Sequence, residues 1–129
     1  MNERGAVSTF LAVIALALLM AAWLAIDGGR KVNALREASH LADNAARAGA
    51  QAVDLDTLRT TGDLTLLPGD AADRVDQYLT SLGYTATEIT VTGDTITVTI
   101  RLTVDPVLLP TGPITVTATE TATAITQEP

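Results

Sequence analysis

The chain offers few groups able to do chemistry. Its single histidine, His40, stands between Ser39 and Leu41 in a proline-free run, and there is no cysteine. A lone imidazole on a solvated helix is more simply a surface residue than a base or a ligand, and a thiolate metal site is ruled out. Ser8 and Thr9 are hydroxyls inside an apolar run, with no neighbouring base to activate either. Acids gather at Asp54/Asp56 and at Asp70/Asp73/Asp76. Neither group has the ordered ligands and closing glutamate of a calcium loop, so helix capping and solvation account for them. No glycine-rich phosphate loop occurs. The residues therefore assign no catalytic, metal or cofactor site, and the expectation is a protein that is not an enzyme.

Charge divides the chain. Residues 1–53 carry five Lys/Arg against four acids, whereas residues 54–129 carry three Arg against eleven acids. An acidic outer domain repels phosphate backbones, which argues against a nucleic-acid partner. Its acidity serves the solubility of a threonine-rich surface.

The elements follow from periodicity. Residues 6–26 contain no charged side chain, and that length of helix, at about 1.5 Å per residue, covers roughly 30 Å, the thickness of a bilayer's hydrocarbon core. Trp23 sits near the far end, where an indole suits the membrane interface. A cleaved signal would be shorter and would end in small residues, whereas Trp23, Leu24 and Ile26 stand there. The segment therefore reads as a transmembrane anchor, preceded by a five-residue cytoplasmic N-terminus.

"DGGRKVNALREASHLADNAARAGAQAVD", residues 27–54, is alanine-rich, and its apolar residues recur at threes and fours. Val32, Leu35, Ala38, Leu41/Ala42, Ala45, Ala48/Gly49 and Ala52 mark one face of a helix that continues the stem through residues 27–53. Asp27 is spaced to pair along the helix with Arg30 and Lys31, the charges at the membrane exit. Small side chains on the stem face admit close packing, against the chain's own sheet or against neighbouring subunits. By the count of basic residues, Arg30, Lys31 and Arg36 after the span outweigh Arg4 before it, which favours a cytoplasmic C-terminal side.

Residues 54–69 read as a connecting loop with a short strand at 64–67, and residues 70–129 as a small α/β head. "DAADRVDQYLTSLG" predicts a short amphipathic helix with Asp70 as N-cap, Gly83 past its end, and Ala71/Ala72, Val75, Tyr78/Leu79 and Leu82 on its apolar face. In "EITVTGDTITVTIRLTVD" the period becomes two, and Gly93-Asp94 makes a two-residue hairpin turn. That turn pairs Thr92 with Thr95, Val91 with Ile96, Thr90 with Thr97 and Ile89 with Val98, so apolar pairs share one face and threonines the other. "PITVTATETATAIT" predicts a third strand whose apolar row is broken by Glu120, at the core's rim or guarding an edge. The fold class is α+β: a long N-terminal helix, a short second one and a three-stranded antiparallel sheet. Between the second and third strands, "DPVLLPTGP" places Val107, Leu108 and Leu109 between prolines. These form either a plug under the head or an exposed patch for a partner or the membrane.

"RGAVSTFLAVIALALLMAAWLAIDGGR" followed by "LADNAARAGAQAVD" resembles the TadE/TadG-like family of Flp (Tad) type IV pilus assembly proteins, especially the short actinobacterial type. The resemblance covers residues 4–53 and continues more loosely through "YLTSLGY" and the hairpin. It implies a pilin-like fold, a head outside the cytoplasm in spite of the basic-residue count, and pilus or secretion-machine subunits as partners. By the same resemblance Gly5 and Ala6 flank a candidate prepilin-peptidase cut. Phe10 stands where pilin patterns carry a glutamate, and the stem is expected to stay uncut. The function expected is that of a single-pass minor pilin or pseudopilin-like protein, with the bilayer as its lipid partner and no small-molecule substrate. The alternatives are a membrane-anchored extracytoplasmic binding or sensing module, which requires a concave apolar pocket in the head, and a secreted domain freed by cleavage.

Overall fold

A computed structural model describes residues 3–108 and 110–125. Helix α1 (Glu3–Gly49) is one continuous rod. It passes through Gly28 and Gly29 without a break, so the helix-forming residues on either side outweigh the cost of about 1 kcal/mol that each glycine carries against alanine. Helices α2 (Leu55–Thr61) and α3 (Pro68–Ser81) follow, then strands β1 (Glu88–Thr92), β2 (Thr95–Val104) and β3 (Ile114–Thr123). The strands form one antiparallel sheet in the order β1-β2-β3.

The hairpin has the register that alternation requires: Ile89 faces Val98, Thr90 faces Thr97, Val91 faces Ile96 and Thr92 faces Thr95. Gly93 adopts φ +61° and no other residue of the turn has positive φ, the pattern of a II′ connection. One sheet face lies against α1 and buries Ile96, Val98, Ile100, Val116 and Ala118. On the opposite face the β2 and β3 threonines pair hydroxyl to hydroxyl, Thr97 with Thr121 at 3.0 Å and Thr99 with Thr119 at 2.9 Å.

The head has a layer of sheet and a layer of helix, and the second half of α1 belongs to its core. Ala42, Ala45 and Ala46 are fully buried among Val75, Leu79, Ile96 and Ile100. A second apolar cluster nearer the N-terminus joins Ala34 and Ala38 to Val116 and Ala118. Glu120 is half-buried and accepts a hydrogen bond from Ser39 Oγ of α1, which gives the polar break in β3 a partner on the stem.

Four expectations are corrected. Residues 54–69 are not mostly loop, because α2 occupies seven of them. The expected strand at 64–67 is reduced to a single bridge between Leu66 and Val53. Helix α3 starts at Pro68, with Leu67 as N-cap and no side-chain cap, instead of at an Asp70 cap. Proline's fixed φ is pre-organised for the first helical position, and its missing N–H costs nothing there. Leu82, expected on the buried face, is 49% exposed because the helix has already ended at Ser81.

Helix α2 is held by its ends. Asp54 caps it by accepting from Thr57 Oγ1 at 2.6 Å and from the backbone N–H groups of Thr57 and Asp56 at 3.1 Å. The Thr57 hydroxyl, then the Thr57 amide, hold the Asp54 carboxyl below its ordinary pKa. A lowered folded pKa stabilises above the unfolded value, about 3.9, and that contribution is lost as pH falls through the folded pKa. Amide exchange of residues 55–61 is therefore expected to quicken as pH falls from about 5 to about 2, beyond the intrinsic pH dependence of exchange. In Asp54→Asn, which caps without titrating, that excess should disappear; an equal excess in both proteins would refute the assignment.

Candidate functional site

Two features of α1 set the site: an uncovered apolar half and a clasped half. From Val7 to Ile26 the large apolar side chains are exposed, among them Phe10 (64%), Leu18 (66%) and Leu24 (67%). Among the described residues, α1 is the one helix long and apolar enough to cross a membrane, and nothing in the head covers that stretch. Gly5 and Ala6, the candidate processing pair, lie exposed in its first turns, where Thr9 Oγ1 donates to the Gly5 carbonyl at 2.9 Å.

The clasped half begins at Asp27, which is only 3% exposed. Asp27 Oδ1 accepts the backbone N–H of Val107 at 3.2 Å, so the β2–β3 connection is held against the stem at the first residue after the apolar run. Asp27 lies seven residues before Ala34, hence on the same helix face as the stripe Ala34, Ala38, Leu41 and Ala45. Arg30 and Lys31 are exposed about one turn further on. The sequence reading placed Asp27 in helix pairs with these two and missed the Val107 contact. The signal that could have found it is the phase of the alanine stripe, which points Asp27 toward the head.

Of the expected stem face, Ala38, Leu41, Ala42, Ala45, Gly49 and Ala52 are buried. Leu35 is not: it is 45% exposed, as Val32 is at 48%, and Ala34 is buried in its place. Leu35 shares a face with Ala42, one heptad away, but lies nearer the membrane half. At that level the head narrows to Leu102, Val104, Val116 and Ala118, which pack with Ala34 and Ala38 of α1. At the other end the packing is closest: a Cβ on Gly49 would lie 2.5 Å from Ile96 Cδ1 and 2.9 Å from Val75 Cγ2.

Tyr84 pins the connection after α3 to the stem by donating to Glu37 Oε1 at 2.5 Å, and that bond and the carboxylate's charge raise the phenol's pKa. His40 is exposed. Among the described residues no group of three His, Asp or Glu is placed to hold a metal ion. Val107 (56%) and Leu108 (36%) are exposed, so they do not plug the core, and Leu109 lies outside the described residues. A half-open cleft of about 640 Å³ lies at the end of the head far from the apolar run, walled by Arg47, Gln51, Val53, Ala122 and Ile125 among others. Arg47 there is paired with Asp43 at 3.1 Å.

These features define an α+β protein whose head is clasped to the second half of a long helix and whose first half is bare and apolar. Residues 5–52 match the model of the Tad family, Flp pilus-assembly TadE/G-like, and the resemblance read from the sequence holds over that stem. The remainder of the head lies outside the match. No curated protein and no solved structure matches the chain.

Proposed function

We propose that the chain is a single-pass, membrane-anchored minor pilin or pseudopilin-like protein that takes part in Flp pilus assembly or a related secretion machine, with its head outside the cytoplasm. The observation that carries this reading is the bare apolar half of α1 joined without interruption to a packed head. Leaving its more than ten large apolar side chains in water would cost on the order of 10 kcal/mol or more, and lipid removes that cost. The Tad match over the same helix supports a partner among pilus subunits and an outward head. The exposed Val32 and Leu35, beside the alanine stripe, supply the lateral surface for such a partner.

The role is mechanical. The helix transmits position from the bilayer to the head, and the acidic head is presented rigidly because α1 is part of its core. A binding or sensing module would instead rely on the cleft beside Arg47, where the guanidinium is already engaged by Asp43 and Gln51 and Thr123 stand among Ala50, Val53, Ala122 and Ile125.

Alkaline carbonate is expected to leave the chain in the membrane fraction, and protease added to whole cells to digest the head. Release by carbonate would sink the anchor, and a protected head would sink the orientation. Intact mass of the extracted protein is expected to show residues 1–5 still attached; a species beginning at Ala6 would show that the stem is processed.

A further inference from the structure

We propose that the tip of the β2–β3 connection, Val107 and Leu108, is a second lipid contact that enters the bilayer interface beside the stem. This rests on the reading of residues 6–26 as the membrane span.

Height along the stem is the first argument. β2 runs down α1 from Ile96, which faces Gly49, to Val104, which packs near Ala34. The chain then continues to Val107, whose N–H is held by Asp27. Asp27 follows Ile26 directly, so the loop backbone is held by a side chain rooted one helical rise, about 1.5 Å, beyond the end of the apolar run.

Exposure is the second. Val107 and Leu108 have no full cover from the head, and at their level the stem presents Leu24 and Ile26, themselves 67% and 50% exposed. Stem and tip are thus both bare where the apolar run ends, and a lipid phase covering the stem would meet the tip without a separate partner.

The third is backbone chemistry. Unsatisfied amides are costly in lipid. Pro106 and Pro110 remove two donors from the loop, and the Val107 N–H is satisfied by a carboxylate that is itself withdrawn from water. Arg30 and Lys31, exposed a turn beyond Asp27, stand at headgroup height, where basic side chains are drawn to anionic phosphates. Asp105 is exposed at the loop's base, on the side of the tip toward the head.

Because the chain has no cysteine, one introduced thiol reports one site. The full chain is reconstituted into phosphatidylcholine–phosphatidylglycerol vesicles with a nitroxide at Leu108→Cys, or in a second variant at Val107→Cys. Controls are Leu16→Cys in the span and Thr117→Cys on the threonine face. Accessibility to oxygen and to a soluble nickel chelate is then read by power saturation. The expected result is a tip that is oxygen-rich and several-fold less nickel-accessible than Thr117, approaching Leu16. In an Asp27→Ala background the tip's nickel accessibility is expected to rise several-fold; no change would refute the part assigned to Asp27. A tip as nickel-accessible as Thr117, with Leu16 in lipid, overturns the proposal and leaves the anchor standing. A nickel-accessible Leu16 overturns the anchor and the tip together. A tip shielded from both reagents means a second copy of the chain covers it, which also overturns the lipid assignment.

Discussion

Leu79→Ala is expected to destabilise the head by about 2–5 kcal/mol, whereas Leu82→Ala, three residues on, is expected to change it by no more than about 0.5 kcal/mol. Both residues carry the same side chain in one amphipathic pattern. Leu79 is fully buried between α1 and the sheet, and Leu82 is 49% exposed beyond the last helical turn. Deleting Leu79 removes its transfer free energy and leaves a cavity that close-packed neighbours cannot collapse into. For a domain of this size each kcal/mol lowers the melting temperature by about 4–8 °C, so Leu79→Ala should unfold the head far below the parent in a thermal scan of the detergent-solubilised chain. Equal shifts for the two variants would show that α3 does not end where the structure ends it.

The second large effect is expected at Gly49, from adding a single methyl group. Gly49→Ala places Cβ at 2.5 Å from Ile96 Cδ1, 2.9 Å from Val75 Cγ2 and 3.2 Å from the Ala71 carbonyl. Ile96 and Val75 are both fully buried, so neither has free space to retreat into. Overpacking of this kind costs about 1–3 kcal/mol, against a gain in helix propensity of at most about 1 kcal/mol. Ile96→Val removes the closest methyl. Combined with Gly49→Ala it should cost less than the sum of the two single changes, by a coupling of about 0.5–3 kcal/mol in denaturant unfolding. Additive costs would mean that the contact is relieved elsewhere. Gly28→Ala and Gly29→Ala serve as controls: a Cβ at either meets nothing within 4 Å, so neither should lower the head's stability.

The parts legible in the sequence were those with a long period or a strict one. The stem and hairpin were readable because a rod of helix formers and a two-residue alternation each repeat often enough to exclude other registers. Helix α2 was missed because seven residues with no buried side chain carry no period. Its caps, Asp54 in front and Gly62 at φ +80° behind, were the readable signal. The α3 start was placed three residues late because an aspartate in the first turn looks like a cap, while proline at the first helical position is the stronger cue.

The candidate site divides in the same way. The bare apolar run and the Tad-like stem were visible in residue order. The burial of Asp27 was not, because its partner is a main-chain N–H eighty residues later, and no local rule links an acid at a membrane exit to a proline-flanked loop. Leu35 and Ala34 exchanged places for a related reason: periodicity assigns an angle around a helix, but not how wide an arc of it the head covers at each level.

By itself, then, residue order determined what the long and the strictly alternating segments are, since hydrophobic period and turn chemistry act between near neighbours. Only the tertiary structure decided where the head sits along the rod, which glycine must stay a glycine, and that the β2–β3 tip comes to rest at Asp27. Those outcomes depend on distances between segments far apart in the chain, which packing alone sets.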